Sequence, residues 1–209
     1  HLMQIAGQND SLSVMNAYKE ESLFALRQLQ LADGSFAWWP GMRGSFYVTV
    51  AVTEMLQRLN MMLGEQTSTK KLLTSSMKFM AGEVSKHVEV LKHLEAKKCD
   101  NLLPSEADML YLYICAMRKE GLNHPDNKYL LGLVEKRPAL FTIYGKAMMS
   151  VILARNGNVK LAKEHLESLK QYMVYTDEMG RYFDTKRASY SWFDYRIPTE
   201  VAAIEAIKM

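Results

Sequence analysis

Five carboxylates, Asp33, Glu54, Asp184, Asp194 and Glu205, lie in or beside two aromatic-rich loops of this 209-residue chain. Two acids flanking a sugar bond hydrolyse it, one protonating the leaving oxygen while the other attacks or activates water. The aromatics beside them, Trp38, Trp39, Tyr47, Trp192 and Tyr195, could stack on a sugar or anchor a partner. They could equally plug the gaps between neighbouring helix pairs. The acids have ordinary readings too: Asp33 in a turn, Glu54 and Glu205 on helix faces.

Other chemistry is weakly signalled. His87 and His93 are six residues apart and do not share a helix face, and no His-Glu-x-x-His occurs. His124 precedes Pro125 in a turn, and His165 falls on an apolar helix face. No metal site or cofactor is expected. Cys115 sits inside the apolar run MLYLYICAM, which reads as a buried thiol, and neither Cys115 nor Cys99 has an evident histidine partner. No Gly-x-Ser-x-Gly elbow is present.

The elements that must position these residues are helical. Leu140, Ile143, Tyr144, Ala147, Met148 and Val151 recur at helix spacing, and Ala162, His165, Leu166, Leu169, Tyr172 and Met173 repeat the pattern. Gly157 and Asn158 between them read as a stop and an N-cap. Ser105 with Asp108 forms a capping-box variant ahead of the apolar Met109–Met117 run, a helix expected to be buried on most sides. Helices are predicted at about 11–30, 47–63, 67–97 with a break near Gly82, 105–121, 126–136, 138–156, 158–175 and 197–209. A hairpin around GRYFDTKRASYSWF is the one strand signal, so the fold class is all-α. The charged segment from Lys70 to Lys98 reads as a solvated outer helix.

Net charge is +3 from 26 basic and 23 acidic residues, too balanced to favour nucleic acid. No run reaches the roughly 20 apolar residues of a membrane span. Residues 1–10 read as a flexible lead-in, with His1-Leu2-Met3 as a tag scar. Residues 11–209 read as one domain excised from a larger multidomain protein, since the last helical pattern is still running at Met209.

The two aromatic loops resemble each other. Gly34-Ser35-Phe36 and Gly180-Arg181-Tyr182 each put an aromatic two residues after glycine. A tryptophan-bearing stretch and then a small-residue helix with a glutamate follow in each, which suggests an internal helical-pair repeat.

The first loop begins at Gln30 as QLADGSF: Gln30, Asp33, Gly34 and Phe36 make Gln-x-x-Asp-Gly-x-aromatic. This resembles the repeat motif of terpenoid cyclase/prenyltransferase-like α/α toroids. Glycine would allow the reversal, Asp33 would satisfy turn donors, and Phe36 would plug adjacent helix pairs. Extended through DGSFAWWPGM to YVTVAVTEML, it is similar to the thioester-type domain of bacterial alpha-2-macroglobulin proteins. So are LLGLVEKRPALFTIYGKAMMSVILARNGNVKLAKEHLESL and GRYFDTKRASYSWFDYRIPTEVAAIEAI, and the likeness covers residues 15–209.

That resemblance implies a partial or complete α/α toroid, and a non-enzymatic module of an endopeptidase inhibitor that traps proteases by conformational change. Its partners would be neighbouring domains and the trapped proteases, in the periplasm, cell envelope or extracellular space. The family's Cys-x-Glu-Gln thioester cannot form here: the sole Glu-Gln pair, Glu65-Gln66, has Leu63 where the sulfur would stand. Trp38, Trp39, Arg43, Tyr47, Trp192, Tyr195 and Arg196 are the candidate interface. Open alternatives are a carbohydrate-active or sugar-binding toroid using the tryptophan loops, and a peptide- or protein-binding scaffold.

Overall fold

The computed structural model describes residues 9–135, 142–183 and 196–208. Its elements are α1 (Asn9–Leu29), α2 (Phe46–Leu63), α3 (Thr67–Ala96), α4 (Glu106–Arg118), α5 (Pro125–Glu135), α6 (Ile143–Arg155), α7 (Val159–Lys170), β1 (Met173–Thr176), β2 (Gly180–Phe183) and α8 (Arg196–Ile207). The chain is thus mostly helical, with one small antiparallel sheet. It divides into two compact units, His1–Glu83 and Val84–Met209, with the boundary inside α3.

The expected break near Gly82 is absent, and α3 continues through it as one 30-residue helix. A lone interior glycine costs only about 1 kcal/mol, which a long helix absorbs.

In the first unit, Leu23 of α1, Leu56 of α2 and Leu72 and Leu73 of α3 form the core around Phe36. The buried positions of α2, Thr49, Val50, Thr53, Leu56 and Gln57, follow one helical stripe. Two of these are hydroxyls that return to the backbone: Thr49 Oγ1 donates to the Ser45 carbonyl (2.7 Å) and Thr53 Oγ1 to that of Thr49 (2.6 Å). Burial therefore leaves no polar cost unpaired.

In the second unit α6 is the central helix, packed against α4, α7 and α8. Every residue from Ile143 to Leu153 is buried, including Lys146 and Ser150, so the single apolar face expected from periodicity understates it. Helix α4 is buried from Asp108 to Ala116, and its start carries the reciprocal Ser105–Asp108 capping box. Asn158 caps α7, accepting from the Leu161 N–H (3.3 Å).

The expected hairpin stretch begins with a strand, Gly180–Phe183, but its partner here is the preceding segment; residues 184–193 of that stretch lie outside the described residues. Met173–Thr176 pairs with Gly180–Phe183 in antiparallel register, Met173 opposite Phe183. Helix α7 stops at Lys170 rather than continuing to 175. Tyr172 and Met173 do extend the helical spacing, but Val174, Tyr175 and Thr176 are β-branched or aromatic and pair well across a strand. Gly180, at φ 71°, opens the second strand. The Phe183 N–H donates to Glu200 Oε1 (2.7 Å), tying β2 to α8.

Candidate functional site

The loop between α1 and α2 has an inward half and an outward half. The inward half is locked by polar contacts. Gln30 Nε2 donates to the Gly34 carbonyl (3.2 Å) and to the Leu72 carbonyl of α3 (3.0 Å). Asp33 Oδ1 accepts from the Ser35 N–H (2.9 Å) and the Ser35 hydroxyl (2.6 Å), an Asx-type turn. The hydroxyl bond first, and the N–H bond next, hold the Asp33 carboxyl below the usual carboxylate range.

Gly34 sits at φ 93°, and a Cβ there would fall 2.2 Å from the Ser75 carbonyl oxygen. Backbone conformation and close approach to α3 both demand glycine at this point.

Phe36 is fully buried in the core of the first unit. Its N–H donates to Thr49 Oγ1 (2.8 Å), and its carbonyl accepts from the Ser45 N–H (2.9 Å). One residue thereby ties the loop to the start of α2 while its ring fills the space among three helices.

The outward half is a tight turn. The Met42 N–H donates to the Trp39 carbonyl (3.3 Å), Pro40 takes the second position, and Gly41 the third at φ 87°. This is the type II pattern. It leaves Trp38 and Trp39 58% and 60% exposed, with Met42, Arg43 and Tyr47 also exposed. The plug reading of these indoles is therefore corrected. Phe36 and Ala37 occupy the interior, and the turn after them points the chain away from it. Tyr47, Ala51, Met55 and Met62 continue an exposed face along α2. Only Arg43, Glu54 and Arg58 are charged between residues 34 and 63.

The second loop's Trp192 and Tyr195 lie outside the described residues. Arg196 opens α8, and its side chain is likewise outside them. The two loops also use their glycines differently. Gly34 packs on α3, whereas a Cβ at Gly180 would meet nothing within 4 Å. Among the described residues of the second loop, Phe183, three residues after the glycine, is buried and Tyr182 only half-buried.

The described acids that the sequence places in or beside the two loops are engaged. Asp33 is held in its turn, and Glu54 Oε1 accepts from Arg58 Nε (3.0 Å) and Nη2 (2.9 Å). Glu205 accepts from the buried Tyr113 hydroxyl. Asp184 and Asp194 fall outside the described residues. Gln66 Nε2 donates to the carbonyls of Leu63 (3.3 Å) and Gly64 (3.1 Å), so the Glu65-Gln66 stretch closes the turn between α2 and α3.

Cys115 is fully buried, and burial pushes its thiol up to about 11, keeping it protonated and unreactive. Cys99 is exposed. Among the described residues no group of three or more His, Cys, Asp and Glu side chains could hold a metal. No described helix is long and apolar enough to cross a membrane.

Two polar constellations escaped the sequence reading. His87 Nδ1 lies 2.8 Å from Oδ1 of buried Asp108, whose Oδ2 is engaged by Ser105. The capping box flagged Asp108, but nothing local shows that α3 brings His87 to it. Lys146, buried in α6, donates to Ser168 Oγ (2.8 Å) and lies 4.7 Å from the Tyr172 ring centre. His165 is buried in the same layer, and its pKa is lowered by burial first and by Lys146 next.

No protein-family model matches the chain, and no curated protein is similar to it at a significant level.

Proposed function

We propose that this chain is a non-catalytic docking module of a bacterial alpha-2-macroglobulin-like endopeptidase inhibitor, with an α/α-toroid scaffold. The observation that carries the docking role is the divided loop. Phe36 locks it into the first unit, while a rigid type II turn holds two indoles in solvent beside a sparsely charged helix face. Exposed aromatics on a rigid support lose little entropy on binding and supply large contact area.

The family assignment rests on the ordered sequence motifs. Under it, the indole face packs against a neighbouring domain until bait cleavage shifts the equilibrium between two packed arrangements. The module would work in the periplasm or at the cell envelope, and its partners would be other domains of the same protein and, through them, trapped proteases.

The test is trapping by the intact protein. After cleavage by an attacking protease, the enzyme should still hydrolyse small peptide substrates while losing activity on large proteins. Undiminished activity on large substrates overturns the inhibitor reading. A Trp38→Ala/Trp39→Ala double variant should fold normally yet pass to the trap's cleaved-type arrangement without bait cleavage; an unaltered transition overturns the docking role.

Paired exposed indoles also favour a second reading, sugar binding. A glycan array with Trp39→Ala as control decides it, and no signal on the array removes it. Hydrolysis is the weaker part of that reading, because Asp33 and Glu54 are both engaged.

A further inference from the structure

We propose that the exposed methionines in and beside the indole loop, Met42, Met55, Met61 and Met62, form a reversible oxidation site, and that their conversion to sulfoxides weakens docking of that face. This regulation rests on the docking role proposed for the face.

Six methionines are exposed among the described residues, and these four fall in the outward turn and along α2; Met15 and Met179 are the other two. Met55 is 52% exposed and Met62 74%, on the face that Tyr47 and Ala51 begin. Seven residues separate them, about 10 Å along the helix. Met61 borders the same face, about 100° round the helix from Met62. Met80, Met109, Met148 and Met149, by contrast, are buried. An oxidant that reaches the folded chain therefore meets sulfur chiefly on and beside the docking surface, not in the core.

Leucine would give α2 a similar helix propensity and as apolar a face. Methionine adds two properties. Its unbranched, polarizable side chain adapts to a partner surface, and its thioether takes up oxygen, which no aliphatic side chain does.

With hydrogen peroxide, a sulfur lone pair attacks one peroxide oxygen as the O–O bond breaks. An S–O bond forms, the proton of that oxygen passes to the departing one, and water leaves. Sulfur loses two electrons and the peroxide gains them. Methionine sulfoxide reductases draw two electrons and two protons from a dithiol, release the oxygen as water and restore the thioether.

The sulfoxide oxygen is a polar acceptor. Packing it against an apolar neighbour without a donor weakens the docked arrangement about tenfold per sulfoxide. A packed and a released arrangement in exchange then respond together: release opens the sulfurs to oxidant, and oxidation disfavours return.

The test begins with the 209-residue chain carrying Cys99→Ser, which removes the exposed thiol. After limited hydrogen peroxide, peptide mass mapping should find sulfoxide at Met42, Met55, Met61 and Met62 well before Met80, Met109, Met148 and Met149; equal rates overturn the site. In the intact protein, prolonged treatment should shift the balance toward the cleaved-type arrangement about tenfold or more without bait cleavage, and the reductases should reverse the shift. A Met42→Leu/Met55→Leu/Met61→Leu/Met62→Leu variant should not move under peroxide, whatever balance it starts from. Met15→Leu/Met179→Leu should respond as the natural sequence does. A four-leucine variant that still responds, or a response abolished by Met15→Leu/Met179→Leu, overturns the proposal. So does a shift that the reductases leave in place, or an unmoved balance once mapping shows all four sulfoxides. The indole double variant separates the two readings: if it alters the transition and oxidation does not, the regulation alone falls; if neither does, the docking role falls with it.

Discussion

Replacing Gly34 by alanine separates the two reasons that glycine stands there. At φ 93° an L-residue is strained by about 1–2 kcal/mol. The new Cβ would also meet Ser75 O at 2.2 Å and Ser75 C at 2.6 Å. These are backbone atoms inside α3 and cannot rotate aside, so overpacking adds about 1–3 kcal/mol. The narrower unfolded ensemble of alanine offsets about 0.4–1 kcal/mol. The net expectation is a loss of about 3 kcal/mol. Gly41→Ala is the internal control. It has φ 87° in the same loop and nothing within 4 Å of its Cβ, so only the conformational part remains, about 1 kcal/mol. Equilibrium urea unfolding, followed by far-UV circular dichroism and by tryptophan fluorescence, measures both variants. Using two probes also reveals whether the two units unfold together. If Gly34→Ala costs no more than Gly41→Ala, the close approach of the loop to α3 is wrong, and so is the locked-loop account built on it.

Three further outcomes follow from the same geometry. Phe36→Ala should cost about 3–5 kcal/mol, since the ring is wholly buried, whereas Trp39→Ala should stay within about 0.5 kcal/mol; equal losses in urea melts would show that the indole belongs to the core. Gly82→Ala should raise stability by about 0.5–1 kcal/mol, because the site is helical, exposed and free of neighbours within 4 Å, and a lower Tm would show that the glycine is required. His165 titrates below its unfolded value of about 6.5. The unfolded chain therefore takes up the proton first, and stability present above about pH 6.5 falls as the medium is acidified through the folded pKa. Urea midpoints between about pH 7 and about pH 5 should drop for the natural chain and drop less for His165→Gln; parallel curves refute the assignment.

Helix starts were legible because caps are local. Ser105 with Asp108 and Asn158 with Leu161 complete their bonds within three residues, so their pattern survives without knowledge of the fold. The ends of α7 and the hairpin were not. Tyr172 and Met173 prolong a 3.6-residue spacing while Val174–Thr176 favour extended backbone, and pairing with Gly180–Phe183 decides between them. The enclosure of α6 was hidden because Lys146 and Ser150 read as polar. Only their partners, Ser168 Oγ and the Lys146 carbonyl, make that face buriable.

By itself the sequence determined the helical class, the caps, and the need for a turn at Asp33-Gly34, since each depends on neighbours a few residues away. The tertiary structure decided which aromatics are inside. Phe36 and Trp38 are two residues apart and of similar character, yet one is fully buried and the other mostly exposed. That division depends on Leu72 and Ser75 of α3 meeting the loop from some forty residues on. Contacts of that separation leave no local pattern to read.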